Sequence, residues 1–104
     1  MINVDQLVTA ARRLPQDGLN HSRLYTDSAG HHCLAAAVLI ELGLGDAVPK
    51  WGDRMNGEPI HRFPHIIAHF GLDAARLLSL MQGEADDMRF WGIAIDRALD
   101  LNNG

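Results

Sequence analysis

The segment that most constrains the fold runs from Cys33 to Leu44, and ten of its twelve residues are apolar. Only Glu41 and Gly43 interrupt it. The segment is too short to cross a bilayer, which needs about 20 apolar residues. A helix that is apolar on nearly every side is normally buried inside a protein. We therefore predict that Cys33–Leu44 is the central helix of a small soluble domain.

Chain length and composition indicate one globular domain over residues 1–104. The chain has 104 residues, of which 47% are hydrophobic and 21% charged, enough for one hydrophobic core. Cys33 is the single cysteine, so no internal disulfide is expected. Asp5 and Gln6 stand where a signal peptide would be apolar. We expect a cytoplasmic protein with no membrane association.

The charge balance disfavours a nucleic-acid partner. The formal net charge is -4, whereas nucleic-acid binders normally carry a basic stripe. Binding of nucleic acid through basic residues is the least favoured hypothesis, and steep salt dependence would be its signature. The residues that would carry it are Arg12, Arg13, Arg54 and Arg62.

The N-terminal segment has the pattern of a capped amphipathic helix. Asn3 and Gln6 have the spacing of a capping box, and apolar residues at helical spacing follow as far as Leu14. Pro15 should end this helix. The turn-rich residues 15–30 predict either a short hairpin before Cys33 or an irregular loop.

Glycines and prolines divide the rest of the chain into further helices. Gly43 or Gly45 should end the central helix. Pro64 should begin a short helix that reaches Phe70. The next helix should be capped by Asp73 and closed by Gly83.

The last helix should begin after the acidic residues that follow Gly83. Asp86 or Asp87 is the expected N-cap, and Gly92 should mark a close helix–helix contact. The predicted fold class is therefore all-α. We expect a small bundle of about five helices around the central apolar helix, with a short hairpin before Cys33 as the one possible β element.

Histidines are the unusual feature of the composition. If Pro64 begins a helix, His65 and His69 lie one turn apart, which is a spacing used by helical metal ligands. With His61 they predict a zinc site, to which His31, His32 and Cys33 would add ligands. The alternative is that they are ordinary surface and loop residues, since the chain has neither a His-Glu-x-x-His nor a Cys-x-x-Cys motif. The six histidines are His21, His31, His32, His61, His65 and His69.

Cys33 also suggests a reactive thiol. A helix N-terminus stabilises a thiolate, and a nearby histidine would then complete a nucleophilic pair. The alternative is that a lone cysteine opening an apolar run is a small buried residue. No orienting third group or oxyanion hole is evident in the sequence, so we predict that the protein is not an enzyme.

Large aromatic residues are the candidates for a protein interface. Phe90 and Trp91 are adjacent on one predicted helix and cannot both face the same way, and Trp51 is the other tryptophan. Tryptophan is enriched at binding hot spots. The alternative is that these rings form a wide buried stripe in a small bundle.

Two stretches of the chain resemble a known group of proteins. The first is the loop that begins Arg23-Leu-Tyr-Thr-Asp, followed by Gly30 and the run His32–Val38. The second is Gly83–Leu101, an acidic turn followed by Phe90-Trp-Gly-Ile-Ala-Ile-Asp96. Together they resemble small, uncharacterised all-helical proteins of actinobacteria and their phages. The resemblance implies a helical fold and a phage or actinobacterial origin, and no catalytic residues.

Two hypotheses about function follow from these observations. The first is a small non-enzymatic interaction module that binds a host or defence protein, or a second copy of itself as a homodimer. The second is a zinc-binding protein that uses His61, His65 and His69. Loss of metal uptake on changing His65→Ala together with His69→Ala would support the second.

Overall fold

The computed structural model describes residues 1–19, 31–48, 60, 63–88 and 90–103, without the side chains of His65 and Met88. Over those residues the chain is helical, and its only β-type pairings there are isolated bridges. The all-α prediction is therefore confirmed. The segments are α1 (Val4–Arg13), α2 (Leu34–Glu41), a 3₁₀ turn (Gly45–Ala47), the single turn α3 (Pro64–Ile67), α4 (Leu72–Met88) and α5 (Trp91–Asn103).

Helix α1 begins and ends where local sequence signals place it. The Asn3 side chain accepts a hydrogen bond from the Gln6 amide, and the Gln6 side chain accepts one from the Asn3 amide, both at 2.9 Å. This is the predicted capping box. The helix ends at Arg13, and Leu14 is extended before Pro15.

Helix α2 is the most deeply buried segment, although it is shorter than predicted. It begins after Cys33 and ends at Glu41, and Gly43 has the left-handed conformation (φ 76°) that was expected at its C-terminal end. The residues before it, 20–30, lie outside the described part of the chain, and so does the predicted hairpin. The fully buried residues of α2 are Leu34, Ala35, Ala36, Val38 and Leu39.

Helix α4 corrects two predictions about its ends. Asp73 lies in the first turn rather than at the N-cap, and Gly83 does not close the helix but lies exposed inside it. The buried face of α4 continues past Gly83 from Met81 to Ala85. Packing of this face outweighs the cost of an interior glycine, which is about 1 kcal/mol relative to alanine.

The start of α5 corrects the prediction for Asp86 and Asp87. Both lie in the last turn of α4, so neither caps α5. The first amides of α5 bond instead to the turn after α1: the Trp91 amide donates to the Gly18 carbonyl at 2.9 Å, and the Gly92 amide donates to the Gln16 carbonyl at 2.8 Å. A backbone turn therefore takes the place of an acidic cap.

The hydrophobic core lies between α1, α2 and α4, and α5 closes it by packing along α4. Backbone hydrogen bonds join the N-terminus to the segment before α4: the Ile2 amide donates to His69 and the Gly71 amide donates to Ile2. The largest fully buried side chains are Leu7, Leu34, Val38, Leu39, Ile66, Phe70, Leu77, Leu78, Met81 and Ile95.

Candidate interaction surface

Helices α4 and α5 form an αα-hairpin, and α5 has apolar residues on both its inner and outer sides. The inner residues Ala94, Ile95 and Ala98 are buried against the core. On the outside, Phe90 is 45% exposed, Ile93 49% and Leu101 55%. A helix at the surface of a globular protein normally turns one apolar stripe inward and a polar face outward. This helix therefore carries more apolar surface than its place in the fold requires.

The exposed apolar residues of α5 lie on one side of the helix. Ile93, Arg97 and Leu101 are each four residues apart, so they follow a single row along the helix, and Phe90 lies just before its first residue. We call these four residues the outer stripe. The stripe is apolar at both ends and carries one positive charge at its centre.

The central charge of the outer stripe is paired with the neighbouring helix. Arg97 Nε donates to Glu84 Oε2 of α4 at 3.2 Å. The Arg97 side chain is largely exposed, whereas that of Glu84 is mostly covered. A pair of opposite charges therefore lies side by side between the two apolar ends of the stripe.

The other flank of α5 is occupied by α1. Arg12 forms an ion pair with Asp96, and Arg12 Nη1 also donates to the Gln16 side chain at 3.1 Å. The Gln16 amide group in turn donates to the carbonyls of Ala11 and Leu14. These contacts hold the turn after α1 beside α5.

The three predicted interface residues have different positions. Phe90 lies at the N-terminal end of α5 with an exposed ring, while Trp91 is only 9% exposed and belongs to the core. The Trp91 Nε1 atom is buried and has no hydrogen-bond partner among the described residues. Trp51 lies outside the described residues. Of the three, Phe90 alone is shown with a ring available to a partner.

A second set of exposed apolar residues belongs to segments other than α5. Its members are Met1, Ile67 and Leu72, close to the pairing of the N-terminus with the segment between α3 and α4. Leu72 is 50% exposed, almost the same fraction as Ile93. This group therefore provides a matched comparison for the outer stripe.

Cys33 is a buried residue rather than an accessible nucleophile. It is the N-cap of α2, and its Sγ accepts a hydrogen bond from the Ala36 amide at 3.5 Å. Burial raises the pKa of the Cys33 thiol to about 11, although backbone amides at the helix start act in the opposite direction. The thiol is therefore buried and protonated at neutral pH, unlike the accessible thiolate of a nucleophilic pair.

The predicted metal ligands are only partly described. His31 and His32 precede α2 and His69 follows α3, while His61 and the side chain of His65 lie outside the described residues. Within the described part of the chain, no three His, Cys, Asp or Glu side chains form a group able to hold a metal ion. The zinc hypothesis therefore stays a prediction that depends on His61 and His65.

An open depression of about 320 Å³ lies beside α1. Its charged side chains are one acid, Asp5, and one base, Arg13. It contains neither histidine nor cysteine, so the residues predicted to carry chemistry do not meet there. The lining residues are Asp5, Gln6, Thr9, Ala10, Arg13 and Leu42.

Ile93 and Leu101 are surface residues that were not predicted from the sequence. Ile93 lies two residues from the buried Ile95, which places it on the opposite side of α5. Leu101 lies three residues from the buried Ala98, which places it at the edge of the buried side. A helix with two apolar sides can be recognised from sequence. Which side faces the core is decided by packing against α4.

Comparisons of the chain with protein-family models, curated proteins and solved structures found no match. In the part of the chain that the structure describes, no helix has both the length and the apolarity to cross a membrane.

Proposed function

We propose that the protein is a small non-enzymatic interaction module that binds another protein through the outer stripe of α5. The observation that supports this is the half-exposure of Phe90, Ile93 and Leu101, which lie along α5 beside its buried residues. Removing apolar surface from water contributes roughly 25 cal/mol per Å². Exposed apolar patches of this kind are typical of protein-interaction sites.

The proposal includes the architecture that displays the stripe. In the proposed bundle about five helices surround α2. Contacts of α2 with α1, α4 and the 3₁₀ turn support this arrangement. Gln82 of α4 supports this arrangement, because its Oε1 accepts a hydrogen bond from the Ala35 amide of α2 at 2.8 Å. Contacts with α2 thereby hold α4 in position, and contacts with α4 hold α5 in position.

The proposed partner is a host or defence protein, or a second copy of the chain, inside the cytoplasm. The sequence resemblance to actinobacterial and phage proteins supports such an origin. The buried, protonated thiol of Cys33 supports a non-enzymatic role, since the strongest nucleophile suggested by the sequence is inaccessible.

Site-specific photocrosslinking in the natural host tests this proposal. A photoreactive phenylalanine analogue replaces Phe90 in one variant and Ile93 in another, and Leu72 in the matched control, which is equally exposed but lies in the other apolar group. We expect discrete protein adducts from positions 90 and 93 and far fewer from position 72. Absence of adducts at both stripe positions, or equal adducts at all three, would contradict the proposal.

A further inference from the structure

We propose that the chain forms a homodimer through the exposed face of α1, with two α1 helices packed antiparallel about a twofold axis that passes beside Thr9. This surface is separate from the outer stripe, because the ion pair of Arg12 with Asp96 places α5 on the other flank of α1. The dimer does not depend on the proposed function of the stripe, and it adds a second interaction surface to the chain.

The exposed side of α1 carries a ridge and a groove that lie next to each other. Asp5, Thr9 and Arg13 are exposed and each four residues apart, so they form one row along the helix. The neighbouring row contains Ala10, which is small and buried and lines the open depression of about 320 Å³. Helices pack by inserting such a row of one helix into a groove of the other. In the dimer, the row of each α1 enters the depression of the other copy.

The charges in this row have opposite signs and lie equally far from its centre. Asp5 and Arg13 are each four residues from Thr9, and eight residues of helix place them about 12 Å apart. A twofold axis beside Thr9 exchanges the two ends of the row, so Asp5 of each copy faces Arg13 of the other, as an isologous interface requires. Within the part of the chain that the structure describes, neither residue has an ion pair of its own. Both charges are therefore available to a second copy.

The charges also select the direction of packing. A parallel pair of α1 helices would place Asp5 against Asp5 and Arg13 against Arg13, which are contacts between like charges. The antiparallel pair instead makes two contacts between opposite charges. Thr9, which is neutral, is the residue that meets its own counterpart at the axis, so no like charges of this row meet there. Charge complementarity of this kind fixes register and suppresses other pairings.

The length of α1 sets the expected affinity. The helix has 10 residues and is therefore about 15 Å long. Contact along this length is at the small end of protein interfaces, and exposed ion pairs add more to register than to affinity. We expect a reversible dimer with a dissociation constant on the order of 100 µM.

Sedimentation equilibrium of the purified full chain tests the dimer. The wild-type mass should rise with concentration from the 11.4 kDa of the monomer towards twice that value. A wild-type protein that remains monomeric at about 1 mM, well above the expected constant, would overturn the proposal.

Two variants and a matched control test the surface in the same experiment. Asp5→Arg should weaken association at least about tenfold, because both facing pairs become like-charged. Thr9→Arg, which leaves both ends of α1 unchanged, should do the same because the two added charges meet at the axis. The control Asp73→Arg reverses an exposed acid in the first turn of α4, so it changes the net charge and the helix-dipole interaction equally and should associate like the wild type. Equal dissociation constants for Asp5→Arg and Asp73→Arg would overturn the proposal.

A charge exchange between two variants tests the antiparallel orientation. Asp5→Arg gives the row two basic ends, and Arg13→Asp gives it two acidic ends, so each variant alone should be monomeric while retaining its helical circular dichroism. Mixing the two should restore association as a 1:1 heterodimer, because every facing pair is then opposite in sign. A mixture that stays monomeric would overturn the antiparallel arrangement.

Failure of the dimer and failure of the outer stripe are distinguishable. A monomeric wild type that still gives photoadducts at positions 90 and 93 would overturn the dimer alone. A dimer that is weakened by Asp5→Arg, without adducts at positions 90 and 93, would overturn the proposed function alone.

Discussion

Cys33 shows how two opposing effects on one residue are resolved by burial. Its position at the start of α2 favours the thiolate, while its removal from water favours the neutral thiol. The raised pKa of about 11 shows that desolvation is the larger effect. Of the two interpretations that the sequence allowed, the small buried residue agrees with this environment.

The raised pKa makes the stability of the fold depend on pH in a defined window. The native state holds the Cys33 proton more tightly than the unfolded chain, whose ordinary value is 9.0. The contribution of the protonated thiol to the free energy of unfolding is therefore complete below pH 9, and it is lost as the pH rises towards 11. We expect the free energy of unfolding to be about 2 kcal/mol lower at pH 10.5 than at pH 8 because of Cys33.

Urea unfolding of the wild type and of Cys33→Ala at both pH values measures this effect. Other groups that titrate in this range are common to the two proteins, so the difference between their unfolding free energies isolates the thiol. A difference that stays constant from pH 8 to pH 10.5 would show that Cys33 titrates normally in the folded protein.

At the scale of the helices, two glycines have opposite roles. Gly83 lies inside α4, and an added methyl group there would meet nothing within 4 Å. Gly92 lies in the first turn of α5, where an added methyl carbon would be 2.8 Å from the Gln16 carbonyl oxygen. Gly83 therefore lowers the stability of α4, whereas Gly92 allows the turn after α1 to contact α5.

Alanine substitution should therefore change stability in opposite directions at the two positions. Gly83→Ala should raise the free energy of unfolding by about 0.5–1 kcal/mol, because alanine favours the helix. Gly92→Ala should lower it by about 1–3 kcal/mol, because the turn must move away. Chemical denaturation followed by circular dichroism measures both. An increase for Gly92→Ala would show that its contact with Gln16 is not tight.

Some of these helix ends could be predicted from the sequence, and others could not. The capping box at Asn3 was predicted correctly from a local signal, and of the two glycines predicted to end α2, Gly43 has the expected left-handed conformation. Gly83 was wrongly predicted to end a helix. The helix α4 continues beyond it because residues on both sides of Gly83 are buried in the core, and this packing is not a local sequence signal. For the site, Phe90 was predicted from residue type, but Ile93 and Leu101 required knowledge of which side of α5 meets α4.

At the scale of the whole molecule, polar contacts join segments that are far apart in sequence. Arg12 of α1 pairs with Asp96 of α5, and Gln82 of α4 bonds to the start of α2. Leu39 lies fully buried in the core that these contacts surround. A small domain connected in this way should unfold in one cooperative transition.

Cooperativity is tested by comparing two neighbouring residues of α2. Leu39→Ala should lower the free energy of unfolding by about 2–5 kcal/mol, because it leaves a cavity in the core. Ile40→Ala is the matched control: Ile40 is 44% exposed, so we expect a loss of less than about 1 kcal/mol.

In a Trp51→Phe background, fluorescence reports Trp91 of α5 and far-ultraviolet circular dichroism reports all helices. If the chain is one cooperative domain, Leu39→Ala shifts both transitions equally, although Leu39 and Trp91 lie on different helices. A fluorescence transition that stays at its original denaturant concentration while the dichroism transition moves would show that the α4–α5 hairpin, with its outer stripe, folds independently of α2.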